Sequence, residues 1–138
     1  MTSPMSFSKA HFASRFRLLS LLRASLVLGA LYDLGFAAAM WLAPDVPARL
    51  LDLPLAPGFY LLVLATLLTM LAILYLVAAR DTRRYSAIVA VAIAGRLAGG
   101  ILLLAAALGS GLDGLYPLAA ADLAFGLAHS AFWFPLRS

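Results

Sequence analysis

Four long apolar stretches, separated by short polar or proline-rich segments, set the pattern of the chain. Residues 18–43, 58–79, 85–108 and 115–134 each approach the roughly 20 apolar residues that one membrane-spanning helix needs. Their ends carry matching punctuation. Met40-Trp41 and Pro44 close the first stretch, and Phe59-Tyr60 open the second, with Tyr75 as an interface anchor near its far end. Gly109-Ser110-Gly111 stops the third, and Phe132-Trp133-Phe134-Pro135-Leu136-Arg137 closes the fourth with an aromatic and basic anchor. Between the first two stretches, Val46, Leu50, Leu51 and Leu53 predict a short helix pressed into the outer headgroup layer, with Pro47 near its start and Pro54 at its stop. The turn Arg80-Asp81-Thr82-Arg83-Arg84-Tyr85 is tight enough to fold the second and third spans as an antiparallel hairpin. The expected fold is all-α: an integral membrane four-helix bundle forming a single domain over residues 1–138.

Ahead of the first span, Phe12, Phe16 and Leu19 recur at i, i+4 and i+7, the spacing of an amphipathic helix lying on a membrane surface. A tail that only supplies positive charge is the other reading. Lys9, Arg15, Arg17 and Arg23 occur there without an acid, as in a signal peptide or organellar presequence. Asp33 interrupts the apolar run before a cleavage site could follow, so this segment is expected to be retained. Arg23, near the inner end of the span, can snorkel to the headgroups. Thr66 and Thr69 are expected to bond back to their own helix.

Composition narrows the chemistry. The chain is 64% hydrophobic and 12% charged, with a mean hydropathy of +1.01, whereas soluble domains carry about 25% charged residues. There is no cysteine, which excludes disulfides and thiolate metal sites. Glu, Gln and Asn are also absent, so N-glycosylation is excluded and every carboxylate side chain is one of Asp33, Asp45, Asp52, Asp81, Asp113 and Asp122. The net charge of +4 is spread over segment ends and does not make a soluble basic patch, which argues against nucleic acid as a partner. The tail, the 80–85 turn and Arg137 together carry a net +7, against −2 for the opposite loops. That bias predicts both termini on the cytoplasmic side, in what is expected to be a bacterial inner membrane.

Three charges lie inside the apolar stretches. Arg96, near the middle of the third, costs about 2.5–3.5 kcal/mol on insertion scales and needs a partner. Asp33 lies two to three residues past the middle of its span, roughly 4 Å at 1.5 Å per residue, and Asp122 sits at similar depth. Small residues flank all three: Ala92, Gly95, Gly99 and Gly100 around Arg96, and Gly29 and Ala37 around Asp33. Ala119, Asp122, Gly126, His129 and Trp133 follow a 3, 4, 3, 4 spacing that marks a bundle-facing stripe. The expected cluster is therefore Asp33, Arg96, Asp122 and His129, either a structural ion network or a ligand or proton-handling site. With all three charges present it carries −1, which calls for a bound proton, a charged His129 or a cation.

His129 has no second histidine within the spans, His11 lying in the basic tail. It can serve as a single axial ligand to a pigment or haem, or bond to a serine, carbonyl or water. Ser25, Ser86 and Ser130 lack an adjacent base and acid, and no cofactor-binding or paired metal-ligand motif occurs.

The segments Leu31-Tyr32-Asp33-Leu34-Gly35-Phe36, Leu74-Tyr75-Leu76-Val77-Ala78-Ala79-Arg80-Asp81 and Gly95-Arg96-Leu97, with the order of short spans, resemble small bacterial four-helix membrane proteins of the DoxX-like group. That resemblance implies the bundle architecture and a link to quinone-dependent oxidoreductase complexes, without assigning a catalytic residue. By elimination, the expected role is a non-catalytic accessory or assembly subunit of a larger membrane complex, respiratory or photosynthetic for instance, with lipid and membrane-protein partners or a homo-oligomer. The alternative is a small transporter or hydrophobic-ligand binder with a midplane Asp-Arg-Asp site. A third reading, a membrane enzyme using Asp122 and His129, requires a bound quinone or substrate.

Overall fold

The computed structural model describes residues 4–54 and 58–137, with side chains from Ala13 onward. The side chains of Lys9, His11 and Phe12 lie outside the described residues. Every regular element among the described residues is a helix: α1 (Pro4–Leu42), α2 (Asp45–Leu50), α3 (Gly58–Arg80), α4 (Ser86–Ser110) and α5 (Leu115–Arg137).

These boundaries follow the sequence punctuation. Pro44 stands at the N-cap of α2, and α4 ends where Gly111 takes the left-handed conformation (φ 68°) and its N–H bonds to the Ala107 carbonyl. The short helix expected between the first two spans is α2, whose side chains are all at least partly exposed. One expectation changes at the N-terminus. The basic segment is continuous with the first span in a single 39-residue helix. At 1.5 Å per residue it is roughly 58 Å long, about twice the hydrocarbon thickness of a bilayer and longer than one span needs.

Three helical segments are long and apolar enough to cross a membrane: Ala13–Leu42, Gly58–Arg80 and Ser86–Ser110. Helix α5 matches α3 in length at 23 residues but carries Asp122, His129, Ser130 and Arg137. The surface is apolar where a soluble protein would be polar. Leu28, Leu31, Leu67, Met70, Ile73, Val91, Ile101, Leu102 and Leu127 all face outward, while Asp33, Arg96 and His129 are buried. Lipid is the solvent that such a surface matches.

The four long helices form a ring in the order α1, α3, α4, α5. Close packing joins α1 to α3 and α4 to α5, with α1 against α5 as a third interface. The short turn does connect α3 and α4, yet those two touch sparingly. Side-chain complementarity explains the preference for α5. A Cβ on Gly100 would lie 2.7 Å from Leu123 Cγ, and one on Gly126 would lie 2.7 Å from Leu97 Cδ2. Each glycine receives a leucine from the facing helix, so the backbones approach closely.

Packing is uneven along the bundle. Near the basic end, the large side chains of Leu22, Leu26, Tyr75, Val89, Ile93 and Trp133 form the core together with several alanines. In the opposite half the buried apolar residues are Ala37, Ala65, Ala107 and Ala119, all small. Arginines finish the helix ends at the basic side. Arg23 donates to the Arg80 carbonyl (3.3 Å) and Arg15 to the Leu136 carbonyl (2.9 Å), where a cation complements the negative end of the helix dipole. Thr66 and Thr69 bond back to Leu62 and Ala65, both at 2.8 Å, as expected.

Candidate functional site

Arg96 is the centre of the site. Its Nη2 donates to Asp33 Oδ1 (2.7 Å) and to the Gly29 carbonyl (3.2 Å), and its Nη1 donates to Asp122 Oδ1. Three helices thus meet in one ion network. Burial is unequal: side-chain exposure is 6% for Arg96, 1% for Asp33 and 19% for Asp122. Asp122 is the more open acid. Small residues make room for the network. A Cβ on Gly99 would stand 3.2 Å from Asp122 Oδ2, and one on Gly29 would meet Arg96, His129 and Tyr75 within 3.7 Å.

Gly95 does not share this role. It is exposed, with nothing within 4 Å of a built Cβ, so the small face of α4 is Ala92, Gly99 and Gly100. Alanine and glycine surround nearly the whole circumference of α4, so spacing alone cannot choose the packed side.

Aromatic rings enclose the guanidinium. Arg96 Cζ lies 5.6 Å from the Tyr32 ring centre and 5.3 Å from those of Tyr75 and Phe125. Ring faces attract a desolvated cation and offset part of its burial cost. Tyr75 is 3% exposed, so it is a core residue and not the headgroup anchor its position suggested. Sequence reasoning missed all three rings as site residues. The available signal was their place on the helices: Tyr32 adjoins Asp33, and Phe125 follows Asp122 by three.

His129 belongs to the same interior but not to the ion network. Its ring is fully buried, stacks on Phe125 (6.1 Å between centroids, 22° between planes) and lies 6.2 Å from Tyr75. It sits beside the Ser25 backbone, and neither nitrogen has a hydrogen bond of good geometry among the described residues. Of the four residues singled out from sequence, Asp33, Arg96 and Asp122 therefore meet directly, and His129 forms a neighbouring aromatic layer.

Two polar atoms of the network remain buried without a hydrogen-bond partner among the described residues, Asp33 Oδ2 and Arg96 Nε. Above them, away from the basic end, a cavity of about 370 Å³ opens. Asp33, Arg96 and Asp122 line it together with Tyr32 and Phe36 of α1, leucines 61, 64 and 68 of α3, Leu103 of α4, and leucines 115 and 118 of α5. Pro47, Ala48, Leu51 and Pro54, from α2 and the segment after it, cover the outer side. Gly114 is held against the Leu51 carbonyl, so the cover also leans on the start of α5. The result is an apolar chamber with charged groups at one end, in the size range of small-molecule sites.

No family model matches the chain, and no match was found among curated proteins or solved structures. The chemistry of the site rests on its own geometry.

Proposed function

We propose that the chain crosses the membrane four times with both termini on the cytoplasmic side, and that it binds a small amphipathic molecule with a cationic head in the α2-covered cavity. The observation that carries this reading is the chamber itself, with leucine walls ending on Asp33, Arg96 and Asp122. Two carboxylates share one guanidinium, so the charged end carries a net −1 when all three are ionised. Asp33 Oδ2 has no donor among the described residues. A protonated amine or quaternary ammonium head would neutralise that excess, and an alkyl body would lie along the leucines. Tyr32 and Phe36 add ring faces that favour a cation.

The four-span topology is supported by the length of α5 and by its packing along both α4 and α1. A purely accessory subunit, the role first expected from the sequence, gives no reason for a chamber that ends on charged groups, which favours the alternative of a ligand binder. The DoxX-like resemblance stays a proposal about ancestry and contributes no residue role.

The test uses the full chain in lipid nanodiscs with three probes of equal length: octyltrimethylammonium, octanol and octanoate. Octyltrimethylammonium should raise the unfolding temperature saturably, octanol less, and octanoate not at all. No shift with any probe, or preference for octanoate, would sink the reading. Ala48→Trp, which fills the chamber from above, should remove the response while the protein stays monodisperse.

A further inference from the structure

A second, separate cavity lies at the basic end of the bundle, with a volume of about 790 Å³. It is bordered by the basic segment of α1, the α3–α4 turn and the last turn of α5. Arg15, Arg23, Arg83 and Arg137 line it, with Asp81 as the one acid, which leaves a net +3 on its walls. Asp81 is already engaged, since its Oδ1 accepts the backbone N–H groups of Arg83 (3.2 Å) and Arg84 (3.0 Å). None of the four arginines is in an ion pair among the described residues.

Each guanidinium has five N–H donors in a planar fork that suits phosphate oxygens. Arg15 and Arg23 each spend one nitrogen on a carbonyl, and Arg137 stacks on Trp133 at 4.6 Å, which fixes where that charge stands. The remaining lining is apolar in the main, with Phe16, Leu19, Trp133 and Leu136 forming one wall. Four cations beside an apolar wall, at the ends of the apolar helices, match the headgroup and upper chain of a phospholipid. We infer that this cavity is a binding site for an anionic phospholipid of the cytoplasmic leaflet, its phosphate held among Arg15, Arg23, Arg83 and Arg137. The assignment to the cytoplasmic leaflet rests on the proposed orientation, but not on the outer chamber, which lies toward the opposite end of the bundle.

The experiment is native mass spectrometry of the full-length protein after exchange into detergent with equal amounts of dioleoyl phosphatidylglycerol and dioleoyl phosphatidylcholine. Phosphatidylglycerol should be retained preferentially, and Arg15→Gln with Arg83→Gln should cut its retention by about fivefold per charge removed. The remaining basic residues still set the topology in these variants. Lysine at both positions should preserve most of the preference. The control is Arg17→Gln with Arg84→Gln, which removes the same charge from residues outside the cavity and should leave retention unchanged. Equal retention of the two lipids, or equal loss in the control variant, would overturn the site. Displacement of the lipid by millimolar inorganic phosphate would overturn the phospholipid assignment, because it would mark a site for the free anion.

Discussion

Arg96 on α4 bonds to Asp33 on α1 across the diagonal of the bundle, although the backbones of those two helices do not pack against each other. Each helix packs on its ring neighbours through apolar and small residues, and the Arg96 side chain bridges this diagonal. Removing one partner therefore does more than delete a contact. It leaves charge stranded in a low-dielectric interior.

Arg96→Leu should leave two acids without a countercharge and destabilise the protein by about 3–5 kcal/mol, the usual cost of breaking a buried pair. Adding Asp33→Leu should restore part of the stability, and adding Asp122→Leu more. Monodisperse yield and thermal unfolding in detergent measure this. A triple variant no better than Arg96→Leu would show that the ion network does not hold the diagonal.

Changing one acid alone has a different expected outcome. Asp122→Asn leaves Arg96 with Asp33, a neutral pair, and keeps a side chain of the same shape that can still accept from the guanidinium. Folding and expression should stay close to wild type, while binding of octyltrimethylammonium falls by at least tenfold, about 1.4 kcal/mol. Asp122→Asn with Asp33→Asn strands Arg96 and should behave like Arg96→Leu. Thermal unfolding with and without the probe separates the two cases.

Glycines at the helix contacts should divide sharply. Gly100→Ala and Gly126→Ala each place a Cβ at 2.7 Å from a facing leucine carbon and should destabilise by about 1–3 kcal/mol. Gly95→Ala meets nothing within 4 Å and should leave the unfolding temperature unchanged or slightly raised.

Topology can be read without background because the chain has no cysteine. Leu50→Cys, on the exposed side of α2, should react with a membrane-impermeant maleimide in intact cells. Ala87→Cys, just after the basic turn, should react only after the membrane is opened. The reverse pattern would invert the proposed orientation.

The helix ends and the ionic triad were legible in the sequence for related reasons. Apolar runs end where proline, glycine and arginine accumulate, and a charge inside such a run is too costly to lack a partner. The order of the helices around the ring was less legible. The six-residue turn suggested that α3 and α4 would pair, but the decisive interactions are Leu123 against Gly100 and Leu97 against Gly126. Whether glycine and leucine fit depends on the facing helix, which no local spacing reveals. Tyr75 shows the same limit: its position near a span end suggests the interface, while its packing against Arg96 and His129 places it inside. The chamber was invisible, because its walls come from the four long helices and its cover from a segment that reads as an ordinary connection.

The contrast between the leucine, tyrosine and tryptophan core at one end and the alanines at the other has a mechanical consequence. Helices clamped at one end act as levers about that clamp. A tilt of about 10° pivoting there carries a point roughly 25 Å along the helix sideways by about 4 Å, close to the girth of an alkyl chain. The width of the mouth can thus change by the girth of one alkyl chain while the clamped side chains hardly shift, and the span of the strap from Pro44 to Pro54 limits how far it can gape.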